Sequence, residues 1–275
     1  MKDIGVYTWR DLLQRGLTQS QARRRIQDGD LVQLRRGWYA TRFADPSVVA
    51  AVRRGGVLSC VSALRMHGVW VPEHPMSVHA RANSKNSRSA GPFCSRSGRP
   101  QAEAGAVDDI STSLLHAARC LDAEGFVVVC DSLLNSGRLS TAELRRTLAE
   151  APATTRRLLD VCDGRAQSGT ETMVRLRLRG LRIPVRPQVR IPRVGQVDLL
   201  VGDRLILEID GEEFHSNTNG FATDRRRDRE AIRLGYIPIR FTYRDVVHDW
   251  AAGEKLVIEL VRDRRHRAPR QKGHP

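Results

Sequence analysis

Residues 197–210 carry the tightest constraint on what this chain can fold into. Val197-Asp198-Leu199-Leu200-Val201 and Leu205-Ile206-Leu207-Glu208-Ile209-Asp210 are apolar runs separated by Gly202-Asp203-Arg204, the pattern of a β-hairpin. With 202–204 as the loop, Val201 faces Leu205 and Asp198 falls opposite Glu208. Side chains alternate along a strand, so Asp198, Glu208 and Asp210 then share one face. Three carboxylates on an otherwise apolar hairpin repel one another and lose hydration, a cost that a divalent cation would offset. Ordinary ion pairs at a solvated strand end are the alternative, and the residues favour a metal site.

Net charge is +15, from 46 Lys and Arg against 31 Asp and Glu. That excess points to a polyanionic partner, most economically nucleic acid. An anionic membrane surface would attract the same charge. However, no apolar stretch approaches the ~18–20 residues of a spanning helix, and the N-terminus lacks a signal-peptide pattern. A cytoplasmic protein without membrane association is therefore expected. The 275 residues allow two compact domains. The five cysteines are scattered without Cys-x-x-Cys, which predicts separate, reduced, buried thiols and neither disulfides nor a zinc ribbon. His67, His74, His79 and His116 likewise lack ligand spacing.

Residues 1–42 read as a small DNA-binding module. A short amphipathic helix over 7–15 stops at Gly16. Thr18-Gln19-Ser20-Gln21 has the capping-box form, with Thr18 as N-cap. The second helix carries Gln19, Ser20, Arg23, Arg24 and Arg25 and ends near Gly29. Residues 31–34 and 38–40 then form a hairpin with Arg35 and Arg36 at its tip. This order predicts a winged helix-turn-helix whose second helix enters the major groove while the wing touches phosphates. Singly, each arginine reads as a solvated helix face.

The region also resembles the N-terminal domain of AbiEi-type antitoxins from abortive-infection systems. Gly29-Asp30-Leu31-Val32, Arg36-Gly37-Trp38-Tyr39, Leu58-Ser59-Cys60-Val61-Ser62-Ala63-Leu64 and His67-Gly68 carry the resemblance, which spans roughly the first 150 residues. It implies DNA binding and leaves open both the target sequence and any toxin partner.

Residues 43–160 read as a mixed, mainly helical region, with a strand near 77–79. A polar, Arg- and Gly-rich loop is expected over 81–100, and helices over 109–121, 126–134 and 140–149. The domain boundary is expected between Ala151 and Gly169. Beyond it, residues 168–262 give a helix over 170–179, a strand over 188–191, the hairpin, a charged helix over 223–234, a strand over 237–241 and a helix over 246–262. A basic, disordered tail over 263–275 completes an α/β chain.

This αβββαβ string resembles the PD-(D/E)XK nucleases, and more narrowly their very-short-patch-repair (Vsr-like) endonuclease branch. The carrying residues are Ser168-Gly169-Thr170-Glu171, Val197-Asp198, Glu208-Ile209-Asp210-Gly211, His215, Asp224-Arg225-Arg226-Arg227-Asp228 and Gly235-Tyr236. The resemblance implies Asp198 and Glu208 as metal-binding carboxylates and Glu171 as an accessory acid. Where the family has Glu-x-Lys this chain has Glu208-Ile209-Asp210, so the general base is in doubt. His215 is the natural substitute, being able to take a proton at neutral pH. An Asp of the following helix, Asp224 before Asp228, would orient it. The matching chemistry is phosphodiester hydrolysis with Mg²⁺ or Mn²⁺. Arg175, Arg177, Arg179, Arg182 and Arg186, with Arg225, Arg226, Arg227 and Arg229, would form a basic rim gripping DNA, with RNA not excluded. The alternative is a transcription regulator or antitoxin whose nuclease-like domain only binds.

Overall fold

Thr18 begins a helix because its hydroxyl accepts the Gln21 main-chain N–H while the Gln21 amide oxygen accepts that of Thr18, at 3.2 and 2.9 Å. Such reciprocal caps satisfy two donors that a helix start otherwise leaves open. They recur at Thr8, Ser140 and Thr242. The structure, a computed structural model, describes residues 3–75, 78–82, 93–94, 102–210 and 218–268, with side chains from 225 onward in the last of these. It divides into two compact units, 1–126 with 139–161, and 127–138 with 162–275.

In the first unit, β1 (Val6–Thr8) precedes α1 (Trp9–Gln14), α2 (Gln19–Gln27), β2 (Leu31–Arg35) and β3 (Trp38–Thr41). The helix expected from residue 7 starts later, because Val6, Tyr7 and Thr8 pair antiparallel with Ala40, Tyr39 and Trp38. The three-stranded sheet runs β1-β3-β2. Then come α3 (Pro46–Arg53), β4 (Gly56–Leu58), α4 (Cys60–Met66), β5 (Ala80–Ala82), α5 (Ile110–Cys120), the first turn of α6 (Ala123–Asn135), whose residues from Val127 on belong to the second unit, α7 (Thr141–Thr147) and α8 (Ala153–Leu158). Val6, Trp38 and Ala40 share one apolar core with Val48, Val52, Val57 and Leu58, so residues 1–42 do not pack alone.

The strand expected near 77–79 is β5 instead, with Ser77 outside the described residues. Arg81 does not open a polar loop. It lies in β5, buried, and its guanidinium donates two hydrogen bonds to Asp108, at 2.5 and 2.7 Å. Opposite it, Gly56 must lack a side chain, since a Cβ there would stand 2.2 Å from the Arg81 carbonyl oxygen.

The second unit holds α9 (Gly169–Gly180), β6 (Val185–Ile191), β7 (Gly195–Val201), β8 (Leu205–Ile209), α10 (Thr218–Arg233), β9 (Ile237–Phe241), α11 (Tyr243–Val247) and α12 (Trp250–Arg262). Its sheet runs β6-β7-β8-β9, antiparallel except for the β8–β9 pair, which α10 connects. Ala231 of α10 packs on Ile191, Val194, Val197, Leu200 and Ile206.

Several expected boundaries shift, and the strand expected over 188–191 already begins at Val185. α10 starts at Thr218, not 223. The single terminal helix is two, since the chain breaks at His248-Asp249 before Trp250 sets its ring edge-on to Phe241 at 5.3 Å. The basic tail is ordered at its start, where the His266 carbonyl accepts the N–H groups of Asp203 and Arg204 at 2.8 and 3.2 Å. Gly202, with φ of +61°, allows this approach.

Arg175, expected in a basic rim, is fully buried and pairs with Asp131 at 2.6 Å, while the Thr172 hydroxyl donates to the same carboxylate oxygen at 2.9 Å. Burial pushes the Asp131 carboxyl up, and Arg175 opposes that shift. Removing one partner leaves a buried charge unpaired. Arg175→Met should therefore destabilise the protein by about 3–5 kcal/mol in urea unfolding, whereas Asp131→Leu with Arg175→Met should cost much less. A double variant as unstable as the single one would refute this account.

Candidate functional site

The hairpin forms in the expected register, with Val201 opposite Leu205, Leu200 opposite Ile206 and Leu199 opposite Leu207. One step further, two carboxylates take over from the main-chain ladder. The Asp198 N–H donates to Glu208 Oε2 at 3.2 Å, and the Ile209 N–H donates to Asp198 Oδ2 at 2.8 Å. Such main-chain bonds hold both side chains in the fork where β7 and β8 part.

Glu171 reaches this fork from the first turn of α9, whose N-cap Ser168 accepts the Glu171 N–H. Its Oε2 accepts the Gln167 N–H at 3.0 Å and Gln188 Nε2 at 2.8 Å. The same Gln188 nitrogen lies 3.3 Å from Asp198 Oδ1, and Gln196 Nε2 donates to Gln188 Oε1 at 2.5 Å. Gln188 thus links Glu171 to Asp198. It sits in β6 between the pairs Pro187–Leu199 and Val189–Val197, with a left-handed φ of 54°. A non-glycine residue there costs about 1–3 kcal/mol and persists where its surroundings demand it. Sequence reasoning missed Gln188 because a lone glutamine in a short strand carries no spacing signal; a strand drawn from Val185 would have set it opposite Asp198.

Burial and then the Asp198 charge push the Glu208 carboxyl up to about 7. Glu171 also rises, from burial first and Asp198 second. Arg227 of α10 opposes the shift at Glu208, standing 3.3 Å from Oε1 while its other nitrogen donates to the Val194 carbonyl at 3.0 Å. Around Arg227 opens a cleft of about 550 Å³ lined by Arg193, Arg226, Arg229 and Arg233, with Val194 and Glu230. Arg225 and Arg226 are exposed, as expected of phosphate-facing groups.

Asp210, expected on the same face as Asp198 and Glu208, has a counter-ion of its own. It pairs with Arg240 at 3.3 Å, because β9 runs parallel to β8 and sets Arg240 beside Glu208. Arg240 also pairs with Asp228 of α10 at 3.2 Å. His215 lies outside the described residues, as does the side chain of Asp224. Of the rim arginines expected on α9 and β6, Arg179 and Arg186 are exposed, Arg177 is half-buried and Arg175 is buried. Arg177 donates to the Val246 carbonyl at 2.6 Å and lies over the Trp250 ring, and Arg186 donates to the Gly202 carbonyl at 3.1 Å.

On α2, Gln19, Ser20, Arg23, Arg24 and Arg25 are all exposed, as is Arg36 at the β2–β3 turn. Arg24 forms an exposed pair with Asp28 at 3.5 Å, an interaction of little worth. Arg35 is a correction. Its guanidinium turns inward to Glu103 at 2.9 Å and to the Gly56 carbonyl, over the Trp38 ring, so it holds the hairpin down instead of facing a phosphate.

The donor set at the fork suits Mg²⁺, which is commonly held by one or two carboxylates, with waters and substrate phosphates completing its shell. Asp198 and Glu208 would supply that pair. Among the described residues the side chains that close into a larger metal-binding group lie elsewhere. Cys60, His79, Cys94 and Cys120 bring their ligand atoms within 4.8 Å of one another in the first unit. The expectation of separate thiols and scattered histidines fails there, because these four come singly from distant segments that only the fold assembles.

With a free-chain value near 4.5 and a folded value near 7, Glu208 binds its proton more tightly in the native state. Native stability therefore falls as pH rises from 4.5 through 7, by at most about 3 kcal/mol. Glu208→Gln removes this penalty, and its amide oxygen can still accept the Asp198 N–H. Without divalent cations the variant should melt higher than wild type at pH 8 and no higher at pH 4. A constant difference at both values would show that the fork is not strained by charge.

No family model matches the chain and a comparison with curated proteins finds no match, so its functional reading rests on the site itself.

Proposed function

We propose that the protein is a metal-dependent endonuclease acting on DNA, with a restriction-endonuclease-like second unit and a winged helix-turn-helix at its N-terminus. The observation that carries this reading is the carboxylate fork of Asp198 and Glu208, backed by Glu171 and bordered through Arg227 by an arginine-lined cleft. An acidic centre against a basic wall suits a phosphodiester. The arginines bind the backbone, while Asp198 and Glu208 would hold Mg²⁺ or Mn²⁺. Such a cation polarises the phosphoryl group and lowers the pKa of a bound water. Glu171 orients Gln188 and thereby Asp198. His215, outside the described residues, is the base that the resemblance to Vsr-like enzymes implies. For the N-terminal reader, support comes from the α1-α2-β2-β3 order, the exposed arginines of α2 and the net charge of +15.

Asp198→Asn and Glu208→Gln should each abolish Mg²⁺-dependent cleavage of DNA while retaining binding, with EDTA reproducing the loss in wild type. In single turnover, His215→Ala should be slower by roughly 10²–10⁴-fold, the usual worth of general acid–base catalysis. Cleavage persisting in either carboxylate variant would overturn the assignment.

One observation favours a second reading, a DNA-binding regulator or antitoxin that does not cut. Arg227 already partly neutralises Glu208, so the fork has an internal counter-ion. Wild type binding DNA but leaving it intact with either cation would select this alternative.

Both readings need the N-terminal unit to grip DNA. Replacing Arg23, Arg24 and Arg25 together by Ala should weaken binding and flatten the slope of log affinity against log salt, by about 0.9 for each phosphate no longer neutralised. An unchanged slope would mean that α2 faces only solvent.

A further inference from the structure

We propose that the first unit holds a structural zinc ion on Cys60, His79, Cys94 and Cys120. Each ligand arrives from a different segment: Cys60 opens α4, His79 precedes β5, Cys94 hydrogen-bonds through its N–H to the Ala80 carbonyl at 2.8 Å, and Cys120 ends α5. Cys60 and His79 are wholly buried, and Cys94 nearly so. The four ligand atoms lie within 4.8 Å of one another, and Cys94 Sγ stands 3.3 Å from His79 Nδ1. A tetrahedral zinc ion with bonds of about 2.3 Å to sulfur and 2.0–2.1 Å to nitrogen separates its ligands by about 3.5–3.8 Å. Only small side-chain shifts are needed to close the shell.

The histidines are wired for the role. His74 Nε2 faces the Cys120 carbonyl at 3.2 Å, so that nitrogen carries the proton and donates. In neutral His74, Nδ1 is then an acceptor, and it lies 2.9 Å from His79 Nε2. His79 must therefore donate from Nε2, which leaves the Nδ1 lone pair directed at the thiols. A ligating histidine whose other nitrogen is held by a hydrogen bond is the usual arrangement at zinc. Cys60 also adopts a left-handed φ of 54°, a strain that persists where the surroundings demand it.

Three sulfurs and one nitrogen favour zinc over the hard cation proposed for Asp198 and Glu208. A shell of four protein ligands leaves no open position, so the ion joins α4, β5, residue 94 and α5 and does no chemistry. The proposal is independent of the nuclease reading, since the two sites share no residue.

The test is metal analysis of the full-length protein, purified without chelator, by plasma mass spectrometry. One zinc per chain is expected in wild type and equally in Asp198→Asn. Exchange with Co²⁺ should give the visible bands of a tetrahedral site together with thiolate-to-cobalt charge transfer. Cys60→Ser and Cys94→Ser should lose the ion. Should they fail to fold, His74→Ala, which keeps every ligand, should bind zinc about 10–100-fold more weakly in competition with a chromophoric chelator. Cys162→Ser should change nothing. Wild type without stoichiometric metal, a disulfide among Cys60, Cys94 and Cys120, iron in place of zinc, or zinc lost from Asp198→Asn and kept by the cysteine variants would each overturn the proposal.

Discussion

Where β7 and β8 part, the main-chain ladder gives way to two carboxylates, each accepting an N–H from the strand end. Everything around the fork answers to the charge placed there. Gln188 keeps an unfavourable backbone angle so that one amide can reach both Glu171 and Asp198. Arg227 crosses from α10 to Glu208, while Arg240 on β9 holds Asp210 and Asp228. Two like charges in a half-buried fork are costly unless compensated. The second unit supplies cations on one side and hydrogen-bond donors on the other.

The arginines of this basic chain divide by environment. Arg81 and Arg175 are buried against Asp108 and Asp131 and act as fixed struts. Arg35, Arg177 and Arg186 cap carbonyls or lie over rings. The exposed arginines of α2, Arg36 and the cleft along α10 are among the described cations left open to a polyanion. A net charge of +15 thus overstates the number of cations aimed at a partner. The long side chains of the rest stabilise the fold through packing and carbonyl contacts.

The hairpin was legible in the sequence because a three-residue turn leaves one register, and register alone sets Asp198 against Glu208. The capping boxes at Thr18 and Ser140 were legible for the same local reason. β1 was not, since Val6–Thr8 becomes a strand only when β3 arrives about 30 residues later. Nor was the inward turn of Arg35, decided by Glu103 far along the chain. The Cys60, His79, Cys94 and Cys120 group was the least visible. Sequence spacing signals a metal site when two ligands share one turn or helix, and here none do.

The parallel pairing of β8 with β9 bears on how the protein reaches its native state. The hairpin closes locally, whereas β9 can dock only after the chain has passed through α10. Long-range parallel pairs form slowly because loop closure precedes any gain from contact. Until then the fork has neither Arg227 nor Arg240 beside it, and Asp198 and Glu208 face each other without counter-charges. A chain emerging from the ribosome would carry Glu208 without a counter-charge until α10 brings Arg227 to it, and β9 then adds Arg240 to Asp210 and Asp228.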